Sequence, residues 1–70
     1  MTIKNKLLQI RLQKGYKKQK DFAEFLSLDS NDYNRIENNK KQVNLETAFN
    51  IAQKLNMKIE DIFYKSQDEN

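Results

Sequence analysis

Ser30, Asn31 and Asn34 are the side chains here best suited to directed chemistry, because each carries both a hydrogen-bond donor and an acceptor. They sit in the stretch DSNDYNRIENN, residues 29–39. Read as a helix, the stretch begins at Asp29, whose side-chain oxygen can accept from a backbone N–H near Asp32. Tyr33 and Ile36 then fall three apart on one face, and Ser30, Asn31 and Asn34 fall on another. The result is a short helix with an apolar back and a donor/acceptor front, the size and chemistry needed to read base edges in a major groove. Taken alone, the segment is better explained as an ordinary amphipathic surface helix. The rest of the chain changes that.

Other chemistries are closed off. The sequence has no Cys, so no disulfide and no thiolate zinc site. It has no His, which removes the usual general base and the usual metal ligand. No nucleophile–base pair can be assembled, and the Asp and Glu residues read as helix caps and solvated positions. An enzyme is not expected, nor any cofactor or metal. At 70 residues the chain is one small domain, expected over residues 1–65 with a polar, frayed tail over 66–70. Such a chain buries only about 60% of its unfolded surface, so the core is thin. One Gly and no Pro argue against a turn-rich β architecture. No apolar run is long enough to span a membrane, and the first ten residues, MTIKNKLLQI, lack the apolar core of a signal peptide. The cytoplasm is the expected location.

Charge is unevenly spread. Residues 1–20 hold seven cations and no acid, and residues 21–39 hold five acids and one Arg. Lys40 and Lys41 then restore a positive cluster. A basic N-terminal third in a small domain of net charge +3 points towards a polyanion, although a solvated lysine-rich face is the commoner meaning of such a pattern.

Five helices are expected to position these residues. The first spans 3–14, with Ile3, Leu7 and Ile10 on the helical period and Leu8 and Leu12 widening the apolar face. Gly15 ends it, since Gly tolerates a left-handed backbone cheaply. The second spans 19–26 with Phe22, Ala23 and Leu26 as its core stripe. Lys18 is a poor cap for it, and Asp21 and Glu24 partly compensate through the helix dipole. Ser27 and Leu28 form a tight turn into the third, residues 30–38, a spacing that fits a helix-turn-helix. The fourth spans 45–55, capped by Asn44, with Leu45, Ala48, Ala52 and Leu55 as a buried seam and Phe49 and Ile51 beside it. Asn56 suits a left-handed C-terminal position. A final turn covers 59–63.

The chain resembles the Cro/C1-type (XRE) helix-turn-helix regulators of phages and bacteria. The resemblance covers roughly residues 3–63 and is carried by IRLQKGY, QKDFAEFLSL, RIENNK and LETAFNIAQKLNMKIEDIF, in that order and spacing. It implies an all-α, compact five-helix, lambda-repressor-like domain. It implies that Gln19 meets the DNA backbone, that Ser30, Asn31 and Asn34 face bases with Arg35 at the edge, and that the loop from Asn38 through Lys40 and Lys41 contacts phosphates. It also implies that Arg11 and Glu37 pair to join the first helix to the end of the third. The usual Gly of the motif is Asn39, the next most tolerant residue for that backbone. The usual Pro is Val43, and the caps of the second and last helices are Lys18 and Lys58. Asp29 and Asp32 place two acids on the DNA-facing helix. Capping accounts for Asp29. Asp32 must accept from a cytosine N4, point sideways or weaken binding.

Two functional readings follow. The first is a sequence-specific DNA-binding regulator, a repressor of phage, mobile-element or bacterial genes. Its phosphate contacts would come from Lys17, Lys18, Gln19, Lys40 and Lys41, and its base contacts from Ser30, Asn31, Asn34 and Arg35. The second is a protein-interaction module, such as an antirepressor or antitoxin subunit, favoured by Asp32 and the weakened caps. A DNA binder of this size covers one half-site, so a homodimer on double-stranded DNA is expected, weak or DNA-assisted. With no separate dimerisation domain in view, the expected patch is Met57, Ile59, Ile62, Phe63 and Tyr64.

Overall fold

Four helices of this protein end in the same backbone device, which lets a chain with a single glycine reverse direction repeatedly. The computed structural model describes residues 3–66. The elements are β1 (Ile3–Asn5), α1 (Leu7–Gln13), α2 (Gln19–Phe25), α3 (Ser30–Glu37), α4 (Leu45–Leu55), α5 (Ile59–Ile62) and β2 (Phe63–Lys65). After each of α1 to α4 one residue turns left-handed: Gly15 (φ 88°), Ser27 (62°), Asn39 (62°) and Asn56 (55°). Around each, paired amide bonds reach back to the helix end, as in Asn39 N to Ile36 O at 3.0 Å and Lys40 N to Arg35 O at 2.8 Å. This Schellman arrangement satisfies carbonyls that would otherwise be orphaned. It is commonly fastened by an apolar residue just beyond the left-handed one. Here Tyr16, Leu28 and Met57 do that, each packed against the core. At the end of α3 the same position holds Lys40, which is exposed.

The N-termini of α3 and α4 are set by side chains. Asp29 accepts from Asn31 N and Asp32 N, and Asn44 accepts from Thr47 N at 2.8 Å. The predicted span of α4 agrees with the observed one. Leu7, Phe22, Tyr33, Ile51 and Ile62 are fully buried at the centre of the core. Phe22 meets the Tyr33 ring edge-on at 5.6 Å, which sets α2 against α3.

Several expectations are corrected. The all-α class gives way to five helices with a small antiparallel sheet, in which Ile3 pairs with Lys65 and Asn5 with Phe63. Residues 3–5, expected as the first turn of a helix, are extended because Asn5 breaks that helix. Its Oδ1 accepts from Leu7 N at 3.0 Å while its Nδ2 donates to Ile36 O at 2.8 Å. One side chain thereby caps the start of α1 and the end of α3. Phe63, expected in the last helix, starts β2, because α5 is only four residues long and the extended segment finds its backbone partners on β1. Leu45 is not in the α4 seam: it is 70% exposed, as are Phe49 (54%), Leu8 (48%) and Leu12 (55%) in large part. With α1 starting at Leu7, its inward face is Leu7, Ile10 and Arg11, which leaves Leu8 and Leu12 outside. Of the expected pairing patch, Ile62 and Phe63 are core, Met57 and Ile59 pack against it, and Tyr64 is exposed. The expected tail over 66–70 lies outside the described residues except Ser66, which is buried.

Candidate nucleic-acid interface

The sequence of α3 divides it lengthwise. Tyr33 and Ile36 face inward and are 0% and 4% exposed. Ser30, Asn31, Asn34 and Arg35 are all exposed on the outer side. The Asp29 carboxylate is engaged in capping at 3.0 and 3.2 Å, so it is turned away from that face and onto the backbone. Asp32 is half-buried at its flank.

The C-terminal end of α3 is locked from several sides. Arg11 Nε donates to Glu37 Oε1 at 3.0 Å, with side chains only 8% and 4% exposed. Arg11 Nη1 donates to the carbonyls of Tyr16 (3.1 Å) and Lys17 (2.7 Å), so one guanidinium ties the α1–α2 loop to α3. Glu37 Oε1 also accepts from the Tyr33 hydroxyl at 2.5 Å, and Oε2 accepts from Gln19 Nε2 at 2.9 Å. Burial pushes the Glu37 carboxyl upward, but the hydrogen bonds from Tyr33, Arg11 and Gln19 outweigh it and hold it below the usual carboxylate range. The bond to Glu37 raises Arg11 further, and burial raises the Tyr33 phenol well above its usual value. Among the described residues no buried side-chain polar atom lacks a partner.

This anchor reaches the exposed face through Gln19. A carboxylate only accepts, so Gln19 must present Nε2 to Glu37. Its Oε1 then accepts from Asn34 Nδ2 at 2.6 Å. Asn34 keeps its Oδ1 and one N–H for an outside partner. Lys17 and Lys18 are exposed immediately before Gln19, at the start of α2. Asn38, Lys40 and Lys41 are exposed just beyond α3. The structure thus brings Gln19 and Asn34 together and places basic segments beyond α3 and at the start of α2. Lys41 is not idle: its Nζ lies 3.1 Å from Asp32 Oδ1. Among the described residues no group of His, Cys, Asp or Glu side chains could hold a metal ion. No helix there is long and apolar enough to cross a membrane.

A helix-turn-helix family model matches residues 7–62, the whole of α1 to α5 and neither strand. The chain belongs to the Cro/C1-type (XRE) helix-turn-helix family. That family is one of DNA-binding transcription regulators, generally non-enzymatic. No curated protein matches the sequence. Within this helix-turn-helix protein, three contributions escaped sequence reasoning. Asn5 joins α1 to α3, and nothing in its neighbourhood signals that. The Tyr33 hydroxyl serves Glu37, which its spacing of one helical turn could have suggested. The Asp32–Lys41 pair depends on how the loop after Asn39 folds back, which has no local signature.

Proposed function

We propose that this helix-turn-helix protein is a sequence-specific repressor of phage, mobile-element or bacterial genes, working in the cytoplasm. Ser30, Asn31, Asn34 and Arg35 contact bases. Lys17, Lys18, Gln19, Asn38, Lys40 and Lys41 contact phosphates on either side. The observation that carries this reading is the exposed polar face of α3, held by a buried ion pair and flanked in sequence by basic segments at both ends. Lys40 supports it further: at the helix end where Tyr16, Leu28 and Met57 serve packing elsewhere, a cation is sent outward. A rule of local folding is relaxed where binding needs it.

One domain makes few base contacts, so the protein acts as a homodimer, weak in solution or completed on DNA, across half-sites about 34 Å apart. Apolar exposure at Tyr64 (43%), Leu45 (70%) and Ile3 (38%), which line one surface depression between the two-stranded sheet and the start of α4, supports that pairing. Sedimentation equilibrium of the protein with a palindromic duplex checks it, and one chain per duplex at saturation overturns it.

The deciding experiment is selection of bound sequences from a random DNA pool, followed by a salt titration of the enriched duplex. A regulator of this kind enriches a defined site and loses affinity steeply as salt rises. The competing reading, a protein-interaction module such as an antirepressor or antitoxin subunit, draws on the acid Asp32 at the flank of the reading face. It predicts neither enrichment nor a salt slope.

A further inference from the structure

Asp32 is an acid on the first turn of the helix proposed to enter the major groove, where residues contact base edges. Unlike Asp29, its carboxylate caps nothing among the described contacts. Its Oδ1 instead meets Lys41 Nζ at 3.1 Å, with the two side chains 45% and 42% exposed. Lys41 reaches it because the left-handed turn at Asn39 reverses the chain beyond α3. On the DNA-binding reading, one member of this pair would lie beside the bases and the other in the loop that would face phosphates.

We propose that Asp32 and Lys41 couple base reading to phosphate contact, Lys41 passing to a phosphate only where Asp32 accepts a hydrogen bond from a cytosine N4 amine. The proposal rests on the DNA-binding reading above. An ion pair this exposed is weak, so it exchanges readily for another partner. On generic DNA the exchange is opposed. If Lys41 left, the Asp32 carboxylate would stand uncompensated beside an anionic backbone, so the pair stays closed and Lys41 releases no counterion. A cytosine facing Asp32 changes the balance, because its N4 donates to the carboxylate and frees the ammonium. Specificity at that base is then expressed twice, as a base contact and as an added phosphate contact. An acid on a DNA-facing helix thereby becomes a selective device: it penalises sites without the amine and is shielded in the absence of DNA.

The test starts with random-pool selection using the wild type and Asp32→Asn, which names any position whose cytosine preference depends on Asp32. Wild type is expected to prefer cytosine there by about tenfold, and Asp32→Asn to lose that preference while gaining affinity for random duplex. Affinities are then measured against salt on the selected duplex and on one with that cytosine pair replaced. Coupling predicts a wild-type slope steeper by about one unit on the cytosine duplex, since one more phosphate is neutralised. In Asp32→Asn and in Lys41→Met the two slopes should coincide. Equal wild-type slopes, or the absence of an Asp32-dependent cytosine, overturn the coupling while leaving DNA binding standing. Failure of the wild type to bind any selected duplex in a salt-dependent way overturns the DNA-binding reading itself, and the coupling with it.

Discussion

Glu37 and Asp32 stand on the same short helix and each faces a cation, yet their surroundings differ in every respect that sets energy. Glu37 is 4% exposed by side chain and accepts from Arg11, Tyr33 and Gln19. Asp32 is 45% exposed and has Lys41 at 3.1 Å. Removing one partner from the first pair strands a charge where water cannot reach it. Removing one from the second returns a charge to solvent. The contrast shows how one helix can be rigid where it is anchored and adaptable on its exposed side. The Glu37 anchor is buried and many-partnered, whereas the Asp32 pair is exposed and cheap enough to exchange.

The largest break in that comparison should come from Glu37→Ala. Leaving Arg11 buried without its carboxylate costs about 3–5 kcal/mol, close to the roughly 5 kcal/mol available to a small domain. Thermal unfolding should show a fall of tens of degrees, and a melting temperature within a few degrees of wild type would remove Glu37 from its anchoring role. Asp32→Ala, by contrast, should hardly move it.

The pH dependence of stability sharpens the same contrast. The carboxyl of Glu37 titrates lower in the folded protein than in the unfolded chain, so its contribution is present above the unfolded carboxylate range and is lost as pH falls through the depressed value. The Tyr33 phenol is raised, so its contribution is present below the unfolded value of about 10 and is lost as pH climbs towards the folded one. Urea midpoints from acid to alkali should therefore fall at both ends. Glu37→Gln should flatten the acid limb, and Tyr33→Phe the alkaline limb.

On the exposed side, Asn31→Ala and Asn34→Ala should each change base preference by about 1–3 kcal/mol at one position. They should leave melting nearly unchanged. Lys40→Ala should weaken all duplexes alike and reduce the salt slope by about one unit. Binding isotherms on a panel of single-base variants check this, and a Lys40 variant that alters base preference would reverse the assignment of faces.

A smaller effect lies in the turn between α2 and α3. Ser27 holds φ 62° with a side chain that Gly would lack. Ser27→Gly should stabilise by about 0.5–1 kcal/mol, once the greater chain entropy of Gly is set against the relief. Chemical denaturation reads it directly. Smallest of all, Asp32→Asn and Lys41→Ala should each change folding stability by less than about 1 kcal/mol. A larger loss would mean that the exposed pair is an anchor after all.

Much of this was legible in order along the chain. Asp29 and Asn44 are acceptors placed just ahead of apolar periodicity, and both cap as expected. Gly15, Asn39 and Asn56 are the residues that tolerate a left-handed backbone, and each occupies one. Ser27 does the same without a residue type that announces it. Leu8, Leu12 and Leu45 follow a helical period yet lie outside the core, because periodicity reports which residues share a face and not which face finds a partner.

What the sequence determined by itself, then, is what acts within a turn or two of helix: the caps at Asp29 and Asn44, most of the stops, the span of α4 and the motif order that places the chain in its family. What only the tertiary structure decided depends on residues far apart in the chain. Ile3 is a strand because Lys65 arrives beside it. Asn5 caps α3 across a sequence separation of 31, and Gln19 takes its amide orientation from Glu37. Asp32 finds Lys41 because the loop folds back. Each of these is a hydrogen bond or ion pair whose partner exists only after the helices have packed, and local sequence carries no record of that partner.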